Sequence, residues 1–370
     1  MTANSIFYFV NAEGSGHTRR AEAILQFLNV PVVIASERPE LVKHLRQGDD
    51  VCHLPRLRLD RDRQLADDVL HIPYGEHRAY LERMKSVVDH CQRHHCSLAI
   101  IDVCAETAMV MRLCGIPYLY MRMSGKRNDA AHLQAYRAAD GLIASYPQAF
   151  EEDWVPGWIR QKTCYVGGIL STKSSPGGGE SISQKPYILV MRGGGSSQLT
   201  PDAIASAASL VPDYRWIGIG FNQPQMGQNF EILPRVADPT PYLQQAATVI
   251  TNTGNNSVLE VGLQAKPLIT YPEWRFFDEQ VAKAEQLTKR NLATSLSKWP
   301  QTSDAWLEML KQAAGLDTQA WSTILSADGA KQAAGYVTQQ FDRVSEPFAA
   351  PTALRSSSVV DAIATPDYAR

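Results

Sequence analysis

No histidine and no cysteine occurs after residue 164: all nine histidines and all six cysteines lie in the first part of the chain. A reaction that needs an imidazole base or a thiolate must therefore draw it from there. Neither charge is in excess. The chain carries 36 Lys and Arg against 38 Asp and Glu, and the first 165 residues hold 20 of each sign. A phosphate-backbone binder needs a basic face, so nucleic acid is excluded as the main partner, although a local basic patch is not. No apolar run approaches the roughly 18 residues of a membrane span. No signal peptide is read before Met1-Thr2-Ala3-Asn4, and the expectation is a cytoplasmic protein, with peripheral contact to the inner face of a membrane left open. The cysteines, at 52, 91, 96, 104, 114 and 164, lack paired spacing and are expected as free thiols.

At 370 residues, 44% apolar and 20% charged, the chain is long enough for two domains with separate cores. Strand and helix patterns alternate, as in α/β folds. Ile6–Val10 reads as a buried parallel strand and ends in Asn11-Ala12-Glu13-Gly14-Ser15-Gly16-His17, before a helix from about Thr18 to Leu28. This turn lacks the third glycine of a dinucleotide fingerprint, because Arg19 stands there. Strands at 31–35 and 51–54 flank a helix at 40–46. The polar segment 55–75 then holds Arg56, Arg58, Arg61 and Arg63, and reads either as a solvated loop or as an acceptor-binding one. His90 and His94 share a helix face, but no second ligand pair completes a metal site. Asp102 ends the strand 98–101, at the end that faces the ligand crevice of a parallel sheet, and Glu106 follows in the next helix. Asp102 either orients His17 or caps that helix.

Composition shifts at 167–185, rich in Gly and Ser, and this is read as a flexible linker. Domains are accordingly expected at 1–166 and 187–345, joined by 167–186, with a loose tail at 346–370. The second domain opens with the strand Tyr187–Met191 and the turn Arg192-Gly193-Gly194-Gly195-Ser196-Ser197, a backbone-rich anion cradle. A final helix, about 327–344, is expected to close this domain.

The stretch 249–280 is the most informative. Thr248–Thr251 is a strand, Gly254 permits a tight turn, and Asn255, Asn256 or Ser257 can cap the helix that opens there. Its free N–H groups and positive dipole end suit a diphosphate. Glu260, one turn in, is placed to accept hydrogen bonds from ribose hydroxyls. Lys266-Pro267 starts a second strand, and an aromatic loop with Trp274, Phe276 and Phe277 leads to Glu279-Gln280 at the head of another helix.

This order of Gly turn, Glu-bearing helix, Pro-led strand and acid–Gln pair resembles the donor signature of GT-B glycosyltransferases, of the MurG-like and UDP-glycosyltransferase type. Ala265 stands where that family has Gly, and the aromatic loop is longer. The Gly-x-Gly-His turn at 14–17 is similar to the same family's N-terminal glycine motif. The resemblance implies two Rossmann-like, doubly wound parallel-sheet domains facing a central cleft. It also implies an inverting, metal-independent transferase that uses a nucleotide-sugar donor, a uridine one for preference, with no separate cofactor and an acceptor of unknown kind.

By that resemblance Gly193, Gly194, Gly195, Ser196, Ser197, Gly254, Asn255, Asn256, Ser257, Glu260, Glu279 and Gln280 bind the donor, with Val236 beside the base. His17 is the base, oriented by Asp102, and Glu13, Gly14, Gly16 and Glu106 lie on the acceptor side. Two other classes remain open: a sugar-nucleotide 2-epimerase on the same fold, and a catalytically silent partner subunit.

Overall fold

The computed structural model describes residues 4–12, 15–43, 45–57, 68–71, 77–170, 185–193 and 197–345. Glu13, Gly14, Gly194, Gly195, Ser196, three of the four loop arginines (Arg58, Arg61, Arg63), most of the Gly/Ser stretch and the tail fall outside them.

The described residues form two seven-stranded sheets. The first comprises β1 (Ser5–Phe9), β2 (Val32–Ser36), β3 (Asp50–His53), β4 (Cys96–Asp102), β5 (Tyr118–Arg122), β6 (Gly141–Ala144) and β7 (Thr163–Tyr165). Between them run α1 (Ser15–Leu25), α2 (His77–Arg93), α3 (Ala105–Leu113), α4 (Ala130–Ala138) and α5 (Gly157–Lys162). The spatial order is β3-β2-β1-β4-β5-β6-β7, all parallel. Strands β1 and β5 are buried at every position because helices cover both faces, and all but Ser5 and Arg122 of their residues are apolar or aromatic.

The second sheet comprises β8 (Tyr187–Met191), β9 (Arg215–Phe221), β10 (Gln225–Met226), β11 (Phe230–Pro234), β12 (Thr248–Thr251), β13 (Leu268–Thr270) and β14 (Thr294–Ser295). The helices of this part of the chain are α6 (Pro201–Leu210), α7 (Thr240–Gln245), α8 (Asn255–Leu263), α9 (Glu279–Lys289), α10 (Ser303–Ala314), α11 (Trp321–Ile324) and α12 (Gly329–Ser345). The order is β10-β11-β9-β8-β12-β13-β14, and only the edge pair β10–β11 is antiparallel.

Three expectations change. The helix expected at 40–46 is only a 3₁₀ turn over Pro39–Leu41, because Arg46 turns inward to Asp49 and to the carbonyls of Leu28 and Val30. The start of the supposed linker is packed: Gly167, Gly168 and Ile169 are buried, and both glycines have positive φ (70° and 136°), which a side chain resists. Glycine here serves a tight, close-packed turn. Finally, α12 does not cover the second sheet. Ala330, Ala333, Ala334, Val337 and Phe341 share a core with Ile6, Tyr8, Val10 and Ile34, so the chain returns to the first sheet.

That return crosses the Gly turn at close range. A Cβ on Gly329 would lie 1.7 Å from the Gly168 carbonyl oxygen and 2.4 Å from that of Val166, whereas one on Gly335 meets nothing within 4 Å. Gly329→Ala should therefore cost at least about 1–3 kcal/mol. Gly335→Ala, in the same helix, should stabilise by about 0.5–1 kcal/mol. Urea unfolding of the two variants should shift the midpoint in opposite directions.

Candidate functional site

In each sheet the chain leaves the first strand toward one side and later returns on the other. The reversals fall between β1 and β4, and between β8 and β12. Ligands of open α/β sheets bind at the carboxyl ends of such strand pairs. The turn after β1 leads into α1 with His17, and Asp102 is the last residue of β4. The His17 ring Nδ1 lies 3.0 Å from Asp102 Oδ2, bringing together two residues 85 positions apart. Asp102 is fully buried; burial alone would raise its carboxyl, but Arg20 and His17 outweigh it and hold the group at about 2. Capping is not its role, because the N-cap of α3 is Cys104, whose sulfur accepts from the Thr107 amide.

Arg20, which sequence reasoning passed over, completes this group. Its Nη2 lies 2.7 and 2.8 Å from the two Asp102 oxygens and 2.8 Å from His17 Nδ1. Its Nη1 reaches the Met123 sulfur and Ser145 Oγ. A signal was present: His17 and Arg20 are three apart on one helix and share a face.

Across the second reversal, α8 begins after β12. Its N-cap is Gly254 with no side-chain cap, so Asn255, Asn256 and Ser257 do not cap it as expected. Gly254 has an ordinary φ of −60°, and the left-handed residue of the turn is Thr253 at φ 63°. Val103 holds the matching place after β4 at φ 57°. A β-branched residue resists that conformation, and such strain, about 1–3 kcal/mol each, concentrates at functional sites. The buried side-chain oxygens of Thr251, Asn252 and Thr253 find no partner among the described residues. Buried polar atoms are otherwise nearly always paired, so this turn has unfilled hydrogen-bonding capacity.

Two further residues missed in the sequence organise the turn. Glu273, in the aromatic loop, accepts from Ser197 Oγ at 2.6 Å, the Gln198 amide at 2.5 Å, Asn252 Nδ2 at 3.2 Å and Arg275 at 3.1 Å. It ties together the loops after β8, β12 and β13. Gln280 assists by accepting from the Glu273 amide at 2.8 Å. Lys283, buried on α9, donates to Asn255 Oδ1 at 3.1 Å and lies 4.0 Å from Glu279 Oε1. Burial pushes its ammonium down, opposed by Glu279 and Glu152. Beside Gly193, a cleft of about 580 Å³ opens along Arg192, Ser197, Phe221 and Asn222, on the side of β8 away from β12.

The two halves meet here. Arg19 Nη1 is 3.7 Å from Glu260 Oε1, Asn255 Nδ2 donates to the Ser145 carbonyl, and Arg127 reaches Glu279 at 3.4 Å. Val236 follows Arg235, whose charge acts on Glu260. Gly16 sits in the first turn of α1. Glu106 is buried and accepts from the His71 amide at 2.6 Å, pinning the end of the long polar loop.

His71, Asp129 and His132 also cluster, with ligand atoms within 4.8 Å of one another. Arg127 Nη1 faces His132 Nε2 at 3.2 Å, and a guanidinium only donates, so that nitrogen is the acceptor. The proton then sits on Nδ1, 2.6 Å from Asp129, which leaves His132 no free lone pair for a metal. Burial lowers this imidazole to about 4, in keeping with a neutral ring. His90, in the last turn of α2, stacks on His94 just beyond the helix end, and both lie outside the site. One Asp-x-Asp triplet, Asp60-Arg61-Asp62, lies beyond the described residues.

No family model matches the sequence, and no curated protein does. Solved structures are similar over nearly the whole length. The calicheamicin glycosyltransferase CalG4 gives a TM-score of 0.68 at 15% identity, covering 93% of this chain and 100% of that one. The glycotransferase of kitacinnamycin gives 0.67 at 14%, covering 92% and 100%. The MurG of Acinetobacter baumannii gives 0.62 at 15%, covering 91% and 100%. The fold is thus that of the GT-B glycosyltransferases.

Glu260 supplies a test of this site's electrostatics. Burial raises its carboxyl from 4.5 to about 7, with Arg19 and Arg235 pulling partly back. Between those values the folded chain keeps a proton that the unfolded chain releases. The stabilisation is full below about 4.5 and is lost as pH rises through about 7. Glu260→Gln cannot ionise. Its stability relative to the native protein should improve by on the order of 1–3 kcal/mol between pH 5 and pH 8, read from thermal midpoints.

Proposed function

We propose that this protein is an inverting glycosyltransferase that moves a sugar from a nucleoside diphosphate, preferentially a uridine one, to an acceptor hydroxyl. One observation carries the reading: the uncapped start of α8, with its unpartnered oxygens and Lys283, is joined through Arg19–Glu260 to the half that holds His17 and Asp102. An anion site and an imidazole–carboxylate pair, each at a strand reversal, are the two parts such a transfer requires.

In this reading the diphosphate lies on the α8 N-terminus and the Gly193–Ser197 turn. Glu260 accepts from the ribose, Val236 adjoins the base, and Glu279 with Gln280 holds sugar hydroxyls. The acceptor approaches from the first sheet, by Gly16 and Glu106, with Glu13 and Gly14 just before Gly16 in the sequence. As its oxygen attacks the anomeric carbon from the face opposite the phosphate, the acceptor proton passes to His17. The electron pair of the breaking C–O bond goes to the diphosphate. Backbone N–H dipoles and Lys283 stabilise that charge, so we assign no divalent metal a role. Among the described residues no helix is long and apolar enough to cross a membrane.

His17→Ala should lower turnover by about 10²–10⁴-fold while nucleotide binding persists, measured with a panel of nucleotide sugars and acceptors. Near-normal turnover at saturating acceptor would move the base elsewhere. Glu260→Ala should weaken nucleotide binding by roughly 1.5–3 kcal/mol, by calorimetric titration with UDP. Unchanged affinity in a folded variant would remove the ribose assignment. Donor consumption without any acceptor, yielding an epimerised nucleotide sugar, would favour the 2-epimerase reading.

A further inference from the structure

The three atoms His17 Nδ1, Asp102 Oδ2 and Arg20 Nη2 lie within 3.0 Å of one another, and no neutral form of the ring satisfies all of them. If Nδ1 carries the proton, it donates to Asp102 but faces a guanidinium N–H at 2.8 Å, donor against donor. If Nδ1 is bare, it accepts from Arg20 and sets its lone pair 3.0 Å from a carboxylate oxygen, acceptor against acceptor. Arg20 is 2% exposed and fixed at both ends of its fork, so it has no room to swing aside. A guanidinium has no acceptor form either.

We propose that Arg20 is the positioning residue that decides which nitrogen of His17 carries the proton, and that with the atoms placed as here it holds the proton on Nε2. Two features favour that side of the balance. The Arg20 contact is the shorter, at 2.8 Å against 3.0 Å. Nη2 carries two N–H groups, so with one given to Nδ1 the other is still shared between the two Asp102 oxygens and the carboxylate keeps a charged donor. The consequence rests on His17 being the base. With Nε2 protonated, the ring offers the cleft a donor and no lone pair, so it does not activate water against a bound sugar. It becomes a base only when Nδ1 passes from Arg20 to Asp102 and takes up the proton there.

Among the described residues, the charged groups around this ring come from four elements. Arg20 and Asp102 touch it directly, from α1 and β4. Arg19 on α1 is turned toward Glu260. Tyr8 on β1 lies in the field of Asp102 and Arg20 with its hydroxyl pushed up by burial, and Lys283 on α9 lies in the field of Arg20. Ser145 and Met123, which hold the other end of the fork, are neutral.

The test is the ¹⁵N spectrum of the full chain labelled at histidine, with the His17 signals assigned by their loss in His17→Gln. At pH 8 the native protein should show protonated Nε2 and bare Nδ1. Arg20→Met, which keeps the length and removes the charge, should reverse the two. Nδ1 protonated in the native protein would overturn the proposal, and so would an unchanged tautomer in Arg20→Met. If Arg20→Met does not fold, the native spectrum decides alone. The tautomer is read without turnover, so a failure of the glycosyltransferase reading leaves this result interpretable.

Discussion

A parallel strand cannot be joined to its neighbour by a tight turn, so every connection between parallel neighbours here crosses a face of the sheet. When the chain lays strands to one side of its first strand and then to the other, the crossing helices part at the reversal, and the carboxyl ends of two strands stay uncovered. Both sheets do this once near their middle. His17, Arg20 and Asp102 occupy one gap; Gly193, Asn252, Thr253 and the start of α8 occupy the other. The left-handed Val103 and Thr253 follow from the same constraint: each strand must turn sharply out of a buried sheet into a helix that begins at the gap.

Charge is concentrated at these gaps in a way that stability alone does not explain. Arg20, Asp102, Arg127, Glu152, Glu273 and Lys283 are all buried. Removing one partner of such a group costs several kcal/mol, while replacing the whole group by apolar side chains often costs nothing. Arg122 and Glu151 show the structural alternative, a bidentate pair at 2.6 and 3.0 Å closed off by Tyr146 and Tyr165. Around Lys283 the pairing is looser. Its charge has an amide oxygen at 3.1 Å and a carboxylate only at 4.0 Å, and burial raises the nearby Glu152 carboxyl to about 7. A positive balance remains beside the α8 N-terminus, where an anion would complete it.

The alternation of strand and helix was legible because strands covered on both faces read as continuous apolar runs; Tyr187–Met191 and Thr248–Thr251 were placed to the residue. Local cues failed where tertiary contact decided. Gly167 and Gly168 carry the composition of a linker but are held by Ser326 and Leu259, distant in sequence. The α12 pattern announces an amphipathic helix and is silent on which sheet it covers. In the site, His17 and Asp102 were visible from their places at strand ends. Arg20 was passed over, since its burial arises only when the ends of β4, β5 and β6 close over it. Val103 and Thr253 were hidden by their own type: β-branched residues argue for strand, and only the surrounding structure forces them left-handed.

The return of α12 to the first sheet has a consequence for how the molecule is made. One face of that sheet, with Ile6, Tyr8, Ile34 and Leu98, is covered in part by Ala330, Ala333, Val337 and Phe341. On the ribosome these residues emerge only after the whole second sheet. At roughly 5–20 residues per second, the early strands wait on the order of ten seconds or more with that face open. The amino-terminal half is thus the first to be synthesised and among the last to be completed. During synthesis it depends on whatever shields an exposed apolar sheet, and its folding is coupled to that of a half which, in space, binds the other side of the site.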